Sequence, residues 1–329
     1  MKIVCDDKIP FLKGVFEPYA KVVYLPGAAI CAADVRDADA LVVRTRTRCG
    51  RALLEGSTVR VIASATIGYD HIDTAYCESH GIAWSNAPGC NSGSVAQYVG
   101  SALGVLAEKF GFDLSGLTLG IVGVGHVGSK VARLAQALGM RVLLNDPPRA
   151  LAEGPAGFVS LDELIAGADI ITLHVPLLDS TRHLFDASRL SEMRPDQILI
   201  NTSRGEVVCG DALKRALKAG RLKAAVLDVW EHEPDIDPEL ASLVEIATPH
   251  IAGYSADGKA NGTTAAVRVV ANALGIAELY DFAVKLEPVS PDAPEYDVRR
   301  DSARLKADIK SFEQLRSEYP VRREKPTSD

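Results

Sequence analysis

Gly123-Val124-Gly125-His126-Val127-Gly128 decides how this chain is read. The hexapeptide closes an apolar run, Thr118–Val124. It also opens a segment in which Val127, Val131, Leu134 and Leu138 recur at helical spacing until Gly139. Strand, GxGxxG turn and helix, in that order, are the fingerprint of a dinucleotide-binding unit. Gly123 permits the tight turn, Gly125 lets the backbone approach a pyrophosphate, and Gly128 lets the helix pack close to the strand. His126 and Val127 open the helix, whose free N–H groups and partial positive charge favour phosphate. Asp146 ends the next strand, eighteen residues after Gly128. A carboxylate there accepts hydrogen bonds from the adenosine ribose hydroxyls and repels a 2′-phosphate, so the cofactor is read as NAD rather than NADP. Pro147-Pro148 is expected to direct Arg149 away from that ribose.

Outward from the glycine turn, apolar runs continue at Arg141–Asn145, Ile170–His174, Ile198–Asn201, Ala225–Val229 and Val244–Ala247. With Thr118–Val124 they make six strands separated mostly by helical segments, the count of a full Rossmann domain. Upstream, Lys2–Cys5, Lys21–Tyr24, Ala40–Val43, Val59–Ala63 and Ile82–Trp84 alternate with helical or loop segments and imply a second, smaller parallel sheet. Ser94–Phe110 reads as a long helix crossing between domains, and about Asp257–Glu278 as another leading away. If the latter packs back on the first unit, the first domain is discontinuous and the second is inserted into it.

The expected organisation is therefore 1–93 and 254–285 for a substrate domain, 94–253 for an NAD-binding Rossmann domain, and 286–329 for a C-terminal region. The fold class is α/β: two doubly wound parallel-sheet domains, with the Rossmann domain inserted into a flavodoxin-like one. Leu286–Pro294 is rich in Pro, Ser and Asp and reads as a linker. Beyond Tyr296 the spacing predicts one amphipathic helix with Leu305, Ile309, Phe312 and Leu315 on one face. About 40 residues cannot bury a core alone, so this tail must dock on the body or on a partner subunit. Arg322–Asp329 is expected to be disordered.

Composition narrows the function classes. The 329 residues are 47% hydrophobic and 24% charged, as in globular chains of two or three domains. No apolar run approaches the ~20 residues that span a bilayer. Acidic residues arrive at Asp6-Asp7 before any signal-peptide core forms, which implies a cytoplasmic protein. A net charge of −7 argues against nucleic acid as a partner, although a local arginine cluster can still take a small anion. Six scattered cysteines form neither a CxxC pair nor a metal-ligand spacing, so reduced thiols and no metal are expected.

In open α/β sheets, sites form at the carboxyl ends of strands. Three side chains follow such ends: Arg204 in Asn201-Thr202-Ser203-Arg204-Gly205, Glu233 beyond Leu227-Asp228-Val229-Trp230, and His250 in Thr248-Pro249-His250. An arginine fork binds a carboxylate and reaches a neighbouring oxygen. A histidine exchanges a hydroxyl proton near neutral pH, and a carboxylate beside it fixes its tautomer. On the residues alone Glu233 is equally readable as a solvated loop acid, and His250 as a turn histidine. His71 and His80 read as capping or solvent-facing, and His174 as a strand-end residue that either lines the cofactor cleft or serves the core.

These three stretches, with Leu227–Pro234 and Thr248–Gly253 in full, resemble the D-isomer-specific 2-hydroxyacid dehydrogenases over roughly residues 1–285. The resemblance implies that Arg204 binds substrate, His250 is the acid/base and Glu233 pairs with it. It further places Thr172, Thr202, Ser203, Arg204, Asp228 and Gly253 along NAD, with Asp228 near the nicotinamide amide.

A closer likeness is to members of that family acting on 4-phospho-D-erythronate in vitamin B6 cofactor biosynthesis. It rests on Asn86–Asn91, Asp146–Ala150, Ile251–Tyr254, Gly258-Lys259 and Gly262-Thr263-Thr264. It implies a small anionic substrate oxidised at C2, touched by Thr45, Thr66 and Tyr254. Thr45 stands where the family often has serine, and either hydroxyl donates to an anion. Arg44, with Arg46 or Arg48, is the candidate contact for the phosphate. The tail Tyr296–Asp301 looks like that group's α+β dimerisation element, though shorter, so a homodimer is implied. The alternatives are another 2-hydroxy acid such as 3-phosphoglycerate, or an NAD(H)-sensing binding protein of the same fold.

Overall fold

The computed structural model describes residues 1–290 and 292–325. The chain forms two compact units. The first comprises residues 1–91 and 255–290 with the last described residues, 323–325; the second comprises 92–254 and 292–322.

The first unit carries β1 (Lys2–Asp6), β2 (Lys21–Leu25), β3 (Ala40–Val43), β4 (Val61–Ser64) and β5 (Ala83–Ser85), in the order β2-β1-β3-β4-β5. Every pairing is parallel. This is the flavodoxin-like order. β3 and β4 are buried at every residue because apolar clusters cover both faces of the sheet. The Ala256–Leu274 helix supplies one of those clusters through Ala266, Val267, Val270 and Ala271, so this domain is discontinuous in sequence. That helix stops four residues before the expected Glu278: Gly275 takes a left-handed C-cap at φ +73°, and Ala277–Leu279 is a separate 3₁₀ turn.

The second unit carries β6 (Thr118–Val122), β7 (Arg141–Asn145), β8 (Ile170–Leu173), β9 (Ile198–Asn201), β10 (Ala224–Leu227) and β11 (Ile246–Ala247). Its six parallel strands run β11-β10-β9-β8-β6-β7. The strand count agrees with a Rossmann domain, but only β7 lies beyond β6 where the usual order has two strands. Strand order still reverses between β6 and β8, which puts the switch point beside the glycine turn. The Ser92–Phe110 helix packs Val95, Val99, Leu103 and Leu106 into the cluster under Leu119 and Ile121.

The tail differs from its sequence reading. It is not one helix: Val298–Ala307 ends at Asp308, which caps a 3₁₀ turn at Ile309–Ser311 before a short helix at Phe312–Ser317. The spacing of the apolar face survives the break, since Leu305 and Phe312 are buried and Ile309 and Leu315 pack beside them. The α+β expectation is not met, because the tail has no strand among the described residues. Instead it covers the edge strand β11: Ser302 Oγ accepts from the Ala247 N–H at 3.1 Å, and Lys306 Nζ donates to the Glu245 carbonyl at 3.1 Å. An edge strand otherwise exposes such groups to foreign pairing.

The expected disorder from Arg322 onward is also corrected. Arg322 is 8% exposed, donates to the Ser94 hydroxyl and the Ala252 carbonyl, and lies 4.2 Å from the Tyr296 ring centre. Arg323 forms a two-pronged ion pair with Asp257, and the Glu324 carboxylate accepts from Ser255. The rest of the stretch expected to be disordered, residues 326–329, lies outside the described residues. No helix among the described residues is long and apolar enough to cross a membrane.

Candidate active site

Asp228 organises the strand-end loops of the second unit. It follows β10, is 1% exposed, and its carboxylate accepts from Thr248 Oγ1 at 2.6 Å and from the Ile251 and Ala252 N–H groups at 2.8 and 2.9 Å. Its own carbonyl accepts from the His250 N–H at 2.7 Å. Burial pushes the Asp228 carboxyl up, against the pull of His250 and these donors. The turn so gathered holds His250 at φ +57°, a left-handed conformation that a non-glycine residue adopts at a cost of about 1–3 kcal/mol. Tyr98 extends the support through its hydroxyl, 2.7 Å from Thr248 Oγ1. Both Asp228 oxygens are thus engaged by the turn.

Glu233 faces His250 from the loop after β10. One of its oxygens lies 2.7 Å from His250 Nδ1, and the other accepts from the Trp230 N–H at 2.9 Å. Burial alone would raise the Glu233 carboxyl. The hydrogen bond and charge of His250, the Trp230 N–H and the Arg316 guanidinium outweigh it and hold the group below its usual range. This is a paired acid rather than a solvated one, and His250 is not merely a turn residue.

Arg204 is set by the loop after β9. Asn201 folds back so that its amide donates to the Arg204 carbonyl at 2.9 Å while its oxygen accepts from the Ser203 N–H and hydroxyl. At Gly205 a Cβ would collide with the Trp230 carbonyl group, so this loop rests directly on the backbone that carries Glu233. The half-buried Arg204 therefore sits beside the loop that carries Glu233.

Further along the same carboxyl end of the sheet, after β6, Gly123 has φ +88° and Gly128 meets the Gly123 carbonyl so closely that no side chain fits. Gly125 differs, because it is exposed and a Cβ there would point into open space. With His126 and exposed helix N–H groups beside it, and no acidic residue in the first helical turn, the turn presents donors outward. Asp146 accepts from the Val124 N–H at 2.8 Å and caps the next helix through the Arg149 N–H at 3.1 Å. These groups fit a dinucleotide: outward donors for its phosphates and a strand-end carboxylate for a ribose. Arg149 does not turn away as expected. The Pro147-Pro148 pair starts a helix, and one turn of it brings the guanidinium back to donate to the Val124 carbonyl at 2.6 Å.

His174 sits at the switch point between Thr172 and Thr202, with ring nitrogens 3.1 and 3.3 Å from their hydroxyls. Burial lowers it to about 3, so it is a neutral donor–acceptor link. Thr172 is fully buried, Ser203 nearly so, and Thr202, Gly253 and Tyr254 are half-buried.

The first unit holds the remaining candidates at the carboxyl ends of its strands. Arg44 is not a free cation: Nε and one Nη bond the buried Asp6 carboxylate at 3.0 and 3.1 Å. Thr45, Arg46 and Arg48 are exposed beyond it. Thr66 Oγ1 lies 2.8 Å from Ser64 Oγ, which in turn is 3.3 Å from His71 Nε2. His71 is buried rather than solvent-facing, its Nδ1 has no hydrogen-bond partner among the described residues, and burial lowers it to about 4. His80, by contrast, caps its helix, with Nδ1 2.9 Å from the Tyr76 carbonyl.

Two residues were missed by sequence reasoning. Burial, and then the Arg44 charge, lower the Lys259 ammonium. One turn further along the same helix face, Thr263 donates to the Pro10 carbonyl just past β1. Arg316 reaches Glu233 from the tail, a placement that no local motif signals.

This glycine turn, strand-end carboxylate and His–Glu pair on a parallel sheet define a nicotinamide-cofactor dehydrogenase. Residues 101–252 match the family model described as "D-isomer specific 2-hydroxyacid dehydrogenase, NAD binding domain". Erythronate-4-phosphate dehydrogenase of Bacteroides fragilis is 50% identical over 98% of this chain and 97% of its own length. That of Ectopseudomonas mendocina is 45% identical over 98% and 93%. The tail that looked short is thus part of an alignment spanning nearly all of the Bacteroides relative. The crystal structure of D-lactate dehydrogenase from Aquifex aeolicus, complexed with NAD and lactic acid, superposes with a TM-score of 0.70 at 28% identity, covering 88% of this chain and all of that one. The chain belongs to the D-isomer specific 2-hydroxyacid dehydrogenase family and is an NAD-dependent dehydrogenase.

Proposed function

We propose that this enzyme oxidises 4-phospho-D-erythronate at C2 to 2-oxo-3-hydroxy-4-phosphobutanoate, a step in pyridoxal 5′-phosphate biosynthesis. The observation that carries the chemistry is the 2.7 Å contact between His250 Nδ1 and Glu233 beside the Arg204 loop. The substrate is supported by the 50% identity to an erythronate-4-phosphate dehydrogenase.

Bound NAD supplies the acceptor for the hydrogen and electron pair leaving C2. Gly123, Gly125, His126, Val127 and Gly128 take its pyrophosphate, Asp146 its ribose, and Thr172, Thr202, Ser203, Arg204 and Gly253 its remaining length. Arg204 holds the substrate carboxylate and C2 oxygen with its planar fork. His250, with Nδ1 turned to Glu233, presents Nε2 to the C2 hydroxyl and accepts its proton. The Glu233 carboxylate stabilises the imidazolium that results. Asp228 fixes the His250 turn and through it the direction of Nε2. Thr66 and Tyr254 offer hydroxyl donors to the substrate, and Arg44 and Thr45 offer donors to its phosphate. The reading includes a homodimer in the cytoplasm, with sedimentation and cell fractionation as its checks.

The test is NADH formation from NAD and 4-phospho-D-erythronate, with 3-phosphoglycerate and D-lactate in parallel. Preference for the phosphoerythronate is expected. Turnover of another acid alone would keep the chemistry and discard the substrate. Tight NADH binding without any turnover would leave a sensing protein of this fold.

A further inference from the structure

The short helix Phe312–Ser317 is anchored by Phe312, which is 1% exposed, with Leu315 packed beside it. Arg316 leaves the same face one turn after Phe312. Its Nε donates to the Tyr254 hydroxyl at 3.1 Å, and Nη1 lies 3.8 Å from the Glu233 oxygen that meets His250. Arg316, Glu233 and His250 have side chains only 22, 19 and 26% exposed, so solvent screens this cluster weakly.

The geometry points to Arg316 as a positioning residue for proton transfer: the C-terminal tail completes the acid–base site of its own chain. This rests on His250 and Glu233 being the proton-transfer pair. The guanidinium does two things at once. It fixes the Tyr254 ring beside the pair, and it shares the Glu233 oxyanion with the imidazole. The charged and titratable groups around His250 include Glu233 against its ring, Asp228 and the Tyr98 hydroxyl behind its turn, Arg316 and the Tyr254 hydroxyl on the tail side, Arg322 at the Ile251 and Ala252 carbonyls, and Arg204 on the neighbouring loop. Arg316 and the imidazole meet the same Glu233 oxygen, so the guanidinium charge opposes the pull of that carboxylate on a proton at His250.

The sign follows directly. Removing the Arg316 charge favours the imidazolium, so the protonation midpoint of His250 rises. The test is the NMR titration of the His250 ring C–H resonance in the intact protein, identified by its loss in His250→Gln. Arg316→Gln should move the midpoint up by about 0.5–1 pH unit, and Arg316→Lys should return most of the shift. The acidic limb of the kcat/KM profile should move with it, while the KM for NAD stays within about twofold. A midpoint unchanged in Arg316→Gln, with a lowered melting temperature as the only effect, would show that Arg316 merely fastens the tail. Because the titration needs no substrate, this outcome is separable from failure of the substrate assignment, which only the turnover assay reads.

Discussion

The strand-end loops of the second unit and the strand ends of the first are built to different tolerances. In the second unit each candidate residue is held by a neighbouring side chain. Asp228 gathers three donors around the His250 turn, Glu233 meets the imidazole at 2.7 Å, and Asn201 staples the Arg204 loop. In the first unit Arg44 is braced by Asp6, while Thr45, Arg46 and Arg48 lie exposed beyond it. The difference matches the two tasks. Proton transfer requires hydrogen-bond distance and the correct tautomer. The phosphate contact proposed for the first unit is Coulombic and falls off slowly with distance, so it tolerates exposed cations.

The contrast is broken most decisively at the tight end. His250→Ala removes the proposed base, and kcat should fall by about 10²–10⁴ with little change in the KM for NAD. Near-normal turnover would take His250 out of the proton transfer. At the loose end, Arg44→Ala should act mainly on substrate KM, raising it by roughly 10- to 100-fold, because binding felt equally by ground and transition states leaves kcat alone. Equal effects on the KM of NAD and of the acid would mean that the substitution had only unseated the buried Asp6.

Legibility in the sequence follows the same division. The glycine turn, Arg204, Glu233 and His250 were readable because each lies at the end of a strand whose apolar run is unmistakable, and the fold converts that placement into proximity. The discontinuity of the first domain was readable as a condition on where one helix packs. What local sequence cannot show is a partner distant along the chain. Asp6 bracing Arg44, Lys259 feeling the Arg44 charge and Arg316 reaching Glu233 span 38, 215 and 83 positions. The single helix expected in the tail failed for a local reason. Asp308 sits mid-pattern, and its carboxylate accepts from the Lys310 N–H, so the chain restarts there although the apolar spacing runs on.

His71 shows that the first unit also has a rigid part. Buried behind Ser64 and Thr66, it is held neutral, at about 4, chiefly by burial, with the Asp70 charge opposing and Arg48 adding to it. In the unfolded chain a histidine titrates near ~6.5. Between these values the unfolded chain binds a proton that the folded one does not. The stabilisation is therefore complete above the unfolded value and is lost as pH falls toward 4. At pH 5 the loss should be on the order of 2 kcal/mol. Urea unfolding at pH 7 and pH 5 should show that decline, reduced by a similar amount in His71→Gln. Parallel declines in both proteins would assign the acid sensitivity to other groups.

The smallest effect sharpens the comparison from the cofactor side. Asp146 stands at the end of β7 with both oxygens bonded to backbone N–H groups, while Arg149 has its guanidinium at the Val124 carbonyl of the same turn. A 2′-phosphate on the ribose would meet both, repelled by one and attracted by the other. The carboxylate is fixed at the strand end by two backbone N–H groups, whereas Arg149 is half-buried and its charge is already paired with Glu153 at 2.7 Å. The fixed group should therefore govern, giving NAD at least about a tenfold advantage over NADP in kcat/KM. Asp146→Ser removes the repulsion but leaves the arginine, so it should narrow the ratio mostly by improving NADP. If the ratio instead falls only because NAD worsens, then Asp146 serves the ribose hydroxyls and the helix cap, and discrimination against the phosphate resides elsewhere on the turn.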